Sequence, residues 1–83
     1  MLNLKIYNYD GKKNICGEKV REIRKKNDIT QDELAARLQV EGVNIERDSI
    51  SRLEKGIRFV ADYELVILAK VLGVTIEELI SND

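Results

Sequence analysis

Two short amphipathic segments separated by a long connection constrain the fold of this chain more than any other feature. In the first, ITQDELAARL, Thr30 and Glu33 form a capping box, in which the hydroxyl and the carboxylate each bond a free backbone N–H of the first helical turn. In the second, DSISRLEKG, Ile50 and Leu53 are spaced three residues apart, and Gly56 follows at a position typical of helix ends. The pattern predicts two helices that are held at a fixed angle.

Similar signals predict three further helices. Apolar periodicity indicates helix 1 over about Gly17–Lys26. Helix 4 opens at Asp62 and ends at Gly73; it is the most apolar stretch of the chain, and we expect it to be the central helix of the core. Thr75 and Glu78 form a second capping box, which opens a short helix 5.

The N-terminal region follows a different pattern. Leu2, Leu4 and Ile6 alternate with polar residues, which is the period of a strand with one covered face, and YDGKKN then supplies a turn. We therefore divide the chain into an N-terminal extended arm or short hairpin at residues 1–16 and a helical domain at residues 17–83. A frayed tail is the competing interpretation of the arm.

Composition limits the function. The chain has 83 residues, 43% of them hydrophobic, which is enough for one small core and too little for a deep substrate cavity. Histidine is absent and Cys16 is the only cysteine, so a histidine-based catalytic set, a multi-thiolate zinc site and an internal disulfide are excluded. Cys16 is expected to be a small packing residue. Without a nucleophile–base set or metal spacing, we expect no enzyme, no cofactor and no small-molecule substrate.

The cellular location follows from the lack of long apolar runs. No run approaches the roughly 18 residues of a membrane span, and the first residues lack the apolar core of a signal peptide. We expect a cytoplasmic protein without a membrane partner.

The charge is unevenly distributed along the chain. The net charge of −1 argues on its face against a nucleic-acid binder. However, residues 1–58 hold 13 Lys and Arg against 10 Asp and Glu, whereas residues 59–83 hold 1 against 5. This asymmetry can place a basic face opposite an acidic one.

The two central segments together resemble the helix-turn-helix domain of the phage-repressor type (Cro/C1, XRE family), a family of bacterial and phage transcriptional regulators. The resemblance covers roughly residues 17–80. It implies an all-α, five-helix, lambda-repressor-like DNA-binding domain, with the helix-turn-helix proper at about residues 30–56. The residues that carry it are Gln31, Ala35, Ile50, Leu53, Glu54 and Gly56.

The spacing departs from the family pattern. Counted from Gln31, the usual spacing would bring the two apolar residues of the recognition helix to Ile45 and Asp48, and an aspartate is costly at a buried site. Moving the match five residues on gives Ile50 and Leu53. We therefore expect a turn between helices 2 and 3 that is enlarged by about five residues.

Within this enlarged turn, helix 2 is expected to run to Glu41 and to exit through Gly42. Val43 or Ile45 would then pack at the edge of the core. The extra segment is a tolerated surface insertion, or it adds phosphate contacts or changes the angle of the recognition helix; both interpretations stay open.

The resemblance also implies the roles of individual residues. Arg47, Asp48 and Arg52 take the base-contacting positions of helix 3, where either arginine can pair with guanine. Asp48 would accept a hydrogen bond from cytosine, or repel phosphate and orient Arg52. An ordinary solvated helix face is the alternative for this set. The DNA-backbone contacts implied in the same way are Gln31, Ser49, Ser51, Lys55, Gly56 and Arg58. Arg24 and Glu54 occupy positions that often form an ion pair between helices 1 and 3.

The function expected from these features is a sequence-specific DNA-binding transcriptional regulator, with repression favoured by the resemblance. Its partner is double-stranded DNA, bound as a homodimer whose contacts involve exposed apolar groups near Phe59, Val60 and helix 5. Helix 5 is equally interpretable as a lid on the core. The alternative function is a protein-interaction module, such as an antitoxin or accessory factor, built on the same fold.

Overall fold

The computed structural model describes residues 11–81, which form five α-helices. The helices are α1 (Gly17–Lys26), α2 (Gln31–Val40), α3 (Arg47–Glu54), α4 (Asp62–Leu72) and α5 (Ile76–Ile80). The predicted all-α fold and the predicted order of elements are confirmed. The strand or hairpin predicted for residues 2–9 lies outside the described residues. In the described part of the chain, no helix is long and apolar enough to cross a bilayer.

Local interactions set where α2 and α5 begin and where α4 ends. The Thr30 hydroxyl accepts the Glu33 N–H at 3.0 Å, and the Glu33 carboxylate accepts the Thr30 N–H at 2.8 Å, so the predicted capping box opens α2. The equivalent box of Thr75 and Glu78 opens α5. Gly73 has a φ of 71°, a left-handed conformation that glycine adopts without steric cost, and it ends α4 as predicted.

One core unites the five helices, because each of them contributes a side chain that is almost completely buried. These side chains are Val20, Leu34, Leu38, Ile50, Leu53, Leu68 and Leu79. Helix α4 packs against α1, α2 and α5, whereas α1 packs against α3, α4 and α5. The central position predicted for α4 is therefore shared with α1. Helix α3 lies at the edge of the core and rests on α1 and α2.

The connection between α2 and α3 is long, as predicted, and it is anchored to the core. Gly42 has a φ of 92° and follows the end of α2. Val43 and Ile45 are both buried, whereas the sequence predicted that one of them would be. The Val43 N–H donates to the Leu38 carbonyl at 2.9 Å, and Gln39 Nε2 donates to the Ile45 carbonyl at 2.6 Å. The connection therefore fixes the chain just before α3 begins.

Cys16 lies in the core next to the start of α1 and is 2% exposed. Burial raises the pKa of the Cys16 thiol to about 11, because the low-dielectric surroundings disfavour the thiolate. The thiol is therefore protonated at neutral pH and serves as an apolar packing group, in agreement with the sequence.

Candidate nucleic-acid interface

Helix α3 has one buried face and one face toward solvent. Ile50, Leu53 and Glu54 are buried. The three base-contact candidates, Arg47, Asp48 and Arg52, are all exposed, and Ser49 and Ser51 are half-buried at the sides. The inner residues fix the helix on the domain, and the outer residues form a polar surface that is free to meet a ligand.

The two arginines of this surface have different surroundings. Arg47 Nε lies 3.6 Å from Asp32 Oδ1 at the start of α2, and Arg47 Nη2 lies 3.9 Å from Asp48 Oδ1. The Arg52 side chain makes no hydrogen bond or ion pair within residues 11–81. Asp48 thus contacts Arg47 and not Arg52, so the structure does not support the expectation that Asp48 orients Arg52.

A buried ion pair connects α1 to α3. Arg24 Nε lies 2.7 Å from Glu54 Oε2, and Arg24 Nη2 donates to Glu54 Oε1 at 3.0 Å. The third nitrogen, Nη1, donates to the Ile29 carbonyl at 2.8 Å, just before α2. Gln31 Nε2 also donates to Glu54 Oε1, at 3.1 Å. Glu54 therefore joins α1, α2 and α3 at one point.

This network changes the role of Gln31. The resemblance implied a contact from the Gln31 side chain to the DNA backbone, but one N–H of its amide is already bonded to Glu54. Its second amide N–H remains for phosphate, and so do the backbone N–H groups at the start of α2, which have no partner within the helix. The network also holds the start of α2 at a fixed distance from α3.

A shallow groove runs between α1, the start of α2 and the end of α3, and we call it the basic groove. Its lining residues are Lys12, Glu18, Arg21, Gln31, Ser51, Glu54 and Lys55. Lys12 pairs with Glu18, and Arg24 balances Glu54. The side chains of Arg21 and Lys55 are exposed and have no ionic partner in the described part of the chain. The groove therefore presents two unpaired cations beside polar groups, which suits an anion.

Sequence reasoning missed two cations of the basic groove, Lys12 and Arg21. Arg21 belongs to the basic run KVREIRKKN, whose lysines and arginines could not be told apart without the packing of α1 on α3. Lys12 lies in the region assigned to the arm, and its side chain packs over Gly56. The available signal was the positive charge alone.

Two of the predicted backbone contacts after α3 have partners within the chain. The Gly56 N–H donates to the Leu53 carbonyl at 3.0 Å, and the Gly56 carbonyl accepts the Lys13 N–H at 2.7 Å, so neither group is free for phosphate. Arg58 donates to both carboxylate oxygens of Glu64, at 3.0 and 3.1 Å. A phosphate at Arg58 would compete with this pair.

The pair of Arg58 and Glu64 braces the connection between α3 and α4. Hydrogen bonding from Arg58 holds the pKa of the Glu64 carboxyl below its usual range, against the opposing effect of burial. Glu64 also accepts the Ala61 N–H at 3.0 Å, which satisfies a free donor at the start of α4. Arg58 is thus a structural residue in this conformation.

Asn14 ties the segment before α1 to the end of α3. Its Nδ2 donates to the carbonyls of Leu53 and Arg58 at 3.0 and 2.8 Å, and its Oδ1 accepts the Gly17 N–H at 2.8 Å. Lys13, Asn14 and Cys16, which the sequence assigned to the arm, therefore contact the helical body. No periodic pattern marks a residue such as Asn14.

Together, the exposed polar face of α3, the buried pair of Arg24 and Glu54 beneath it and the basic groove beside it define a helix-turn-helix domain of the phage-repressor type. The chain belongs to the helix-turn-helix family HTH_3, whose model matches residues 20–79. No curated protein sequence matches the chain. The family resemblance predicted from the sequence is confirmed.

A solved structure shares this fold. The chain is similar to the P22 c2 repressor protein, whose crystal structure is in complex with synthetic operator 9T in the presence of Tl+. The TM-score is 0.69 at 27% sequence identity, and the match covers 84% of this chain and 98% of that chain. The likeness extends over nearly the whole of the repressor chain and supports the lambda-repressor-like arrangement of the five helices.

Proposed function

We propose that this protein is a sequence-specific DNA-binding transcriptional regulator of the repressor type, which places α3 in the major groove. The observation that carries the proposal is the exposed polar face of α3, held by the buried pair of Arg24 and Glu54. The match to the family and the likeness to a repressor bound to its operator support it.

The outer face of α3 suits the readout of base edges. An α-helix fits the major groove of B-DNA, where each base pair presents a distinct set of donors and acceptors. The Arg52 guanidinium has no competing partner within residues 11–81, so it is available for a bidentate bond to guanine. Such a bond is worth about 1 to 3 kcal/mol of discrimination against another base.

The basic groove suits the sugar–phosphate backbone beside that site. Arg21 and Lys55 supply charge, Ser51 supplies a hydroxyl, and the start of α2 supplies backbone N–H groups. These contacts would set the position of the domain along the duplex without reading its sequence. A net charge of −1 is compatible with DNA binding because part of the negative charge lies away from the proposed interface. Glu77 and Glu78 lie on α5, which packs on α1 and α4 and not on the outer face of α3.

The experiment is a selection of bound sequences from a random DNA pool, followed by titration of the selected operator and of scrambled DNA at two salt concentrations. We expect Arg52→Ala to weaken operator binding by roughly 5- to 150-fold and to leave the affinity for scrambled DNA almost unchanged. Lys55→Ala should weaken binding to both DNAs. It should also lower by about 1 the slope of the logarithm of the binding constant against the logarithm of the salt concentration. Arg37→Ala, at an exposed arginine of α2, is the control for loss of charge.

A selection without an enriched motif would contradict the proposal, as would binding that falls with salt equally for every sequence. Either result would favour the protein-interaction module instead. We further propose that the protein has no catalytic activity and acts in the cytoplasm, where an operator would be accessible to it.

We also propose that the regulator binds as a homodimer. Ile57 and Phe59 in the connection before α4, and Tyr63 and Val66 on α4, expose large apolar side chains, which suit burial against a second copy. Val60 is half-buried against the core and contributes less. A dimer would read two half-sites whose centres are about 34 to 36 Å apart, or a multiple of that distance.

Sedimentation velocity over a range of protein concentrations tests the dimer, with Tyr63→Glu as the disrupting variant. We expect the wild-type protein to sediment faster at higher concentration and Tyr63→Glu to stay monomeric. Identical behaviour of the two proteins, with a selected motif that lacks two-fold symmetry, would exclude this dimer.

A further inference from the structure

Arg47, the first residue of α3, lies between two carboxylates on the surface proposed to meet DNA. Asp32 approaches its Nε to 3.6 Å from the start of α2, and Asp48 approaches its Nη2 to 3.9 Å from α3 itself. We call these three residues the Arg47 cluster. Its side chains are 60%, 79% and 91% exposed for Arg47, Asp32 and Asp48, so the cluster is open to a ligand.

The cluster contributes little to folding. Exposed ion pairs add little to the stability of the folded state, because water screens them and ordering the side chains costs entropy. Asp32 also lies in the first turn of α2, where a negative charge interacts favourably with the helix dipole. However, the interaction with the helix dipole does not require Asp32 to lie beside Arg47. It also does not explain why Asp48 lies near the same arginine.

The charge of the cluster is unusual for a DNA-facing surface. One guanidinium and two carboxylates sum to −1, so the local charge repels phosphate although an arginine is present. Both distances exceed the limit of a hydrogen bond, so the five N–H donors of Arg47 stay available to a base edge. The carboxylates therefore restrain Arg47 without using its donors.

We propose that Asp32 and Asp48 are specificity-determining residues that suppress the binding of Arg47 to arbitrary DNA. Non-specific binding arises from cations that neutralise phosphates, and a cluster of net charge −1 contributes repulsion to it. At the correct operator, hydrogen bonds from Arg47 to a base edge offset that repulsion. The inference rests on the proposed DNA-binding function and adds a second helix, α2, to the determinants of specificity.

The expected effect can be estimated from the charges. In water, one carboxylate within roughly 6 Å of a phosphate weakens binding by about three-fold. Removal of one carboxylate should therefore tighten binding to scrambled DNA by roughly three- to ten-fold at low salt, depending on how many phosphates lie nearby. The effect should shrink as salt rises, because these charges are exposed and are screened.

The test compares Asp32→Asn with wild type on the selected operator and on scrambled DNA of the same length, at low and at physiological salt. The control is Glu77→Gln, which removes one exposed negative charge from the same helical position of α5. We expect Asp32→Asn to tighten binding to scrambled DNA several-fold and to tighten binding to the operator less, so that the specificity ratio falls. Glu77→Gln should leave that ratio unchanged.

A second comparison isolates the role of Arg47. If Asp32 acts through Arg47, the effect of Asp32→Asn on the specificity ratio disappears when Arg47→Ala is already present, since the two substitutions are then coupled. The proposal would be overturned if Asp32→Asn changed the specificity ratio equally in wild type and in Arg47→Ala. It would also be overturned if Asp32→Asn raised the affinity for operator and for scrambled DNA by the same factor. A wild-type protein that does not distinguish the two DNAs would instead refute the proposed function, and this inference with it.

Discussion

Replacing Arg24 with alanine tests whether the buried network positions the recognition helix. The Arg24 and Glu54 side chains are only 9% and 2% exposed. Arg24→Ala removes both bonds to Glu54 and the bond to the Ile29 carbonyl. The Glu54 carboxylate would stay buried with Gln31 as its remaining side-chain donor.

The magnitude follows from this loss. Removing one partner of a buried ion pair costs about 3 to 5 kcal/mol, because the other charge is left without compensation. The hydrogen bond from Gln31 places the expected loss at the lower end, about 3 kcal/mol. For a domain of this size each kcal/mol lowers Tm by about 4 to 8 °C, so we expect Tm to fall by roughly 12 to 24 °C.

The assay is urea and thermal unfolding followed by circular dichroism. Arg52→Ala is the control, because this exposed arginine has no partner within residues 11–81 and should change stability by less than about 0.5 kcal/mol. The double variant Arg24→Met with Glu54→Leu should recover most of the loss, since no buried charge remains. The reasoning would be refuted if Arg24→Ala and Arg52→Ala had the same Tm and the same urea midpoint.

Operator binding adds an independent readout. The double variant lacks the carboxylate that receives Gln31, so it should regain stability and still bind the operator more weakly than wild type. Full recovery of both properties would mean that the ion pair supports folding alone.

Three further predictions concern packing, acid stability and thiol reactivity. Gly17→Ala should destabilise the domain by about 2 kcal/mol in urea unfolding, although alanine favours helices, because the added Cβ would lie 2.2 Å from a main-chain carbonyl oxygen of α3. Gly42→Ala, with no atom within 4 Å of the new Cβ, should lose only the roughly 1 kcal/mol expected from its positive φ. Arg58 lowers the pKa of Glu64 in the folded state, so this stabilisation is present above the ordinary carboxyl pKa of about 4.3 and is lost as pH falls through the lower folded value. Tm measured from about pH 6 to pH 2 should therefore decline less in Glu64→Gln than in wild type. Cys16, buried and with its pKa raised to about 11, should react with a thiol reagent only at the rate of unfolding, as followed by mass spectrometry.

The helix boundaries could be predicted from the sequence because they depend on neighbouring residues. Thr30 and Glu33 are three positions apart, and their reciprocal bonds are the ones the sequence implied. Gly73 likewise needs no distant contact to end α4. The buried face of α3 was predictable for the same reason, since Ile50 and Leu53 define it by spacing alone.

The site was harder to predict because its contacts join residues that are far apart in the chain. Asn14 bonds to carbonyl oxygens 39 and 44 positions away, and neither periodicity nor composition marks such a contact. Family spacing suggested Arg24 with Glu54 but not the additional donor Gln31. Charge patterns also could not indicate that Arg58 faces Glu64 or that Asp32 faces Arg47.

The division of α3 into two faces makes DNA preference separable from folding. The anchors are Ile50, Leu53 and Glu54, and the residues toward solvent carry almost none of the core. A library randomised at positions 47, 48 and 52 should therefore retain a folded domain in most of its members. Evolution or an engineer can redirect such a protein to a new operator by exchanging a few surface side chains, without redesigning the scaffold that presents them.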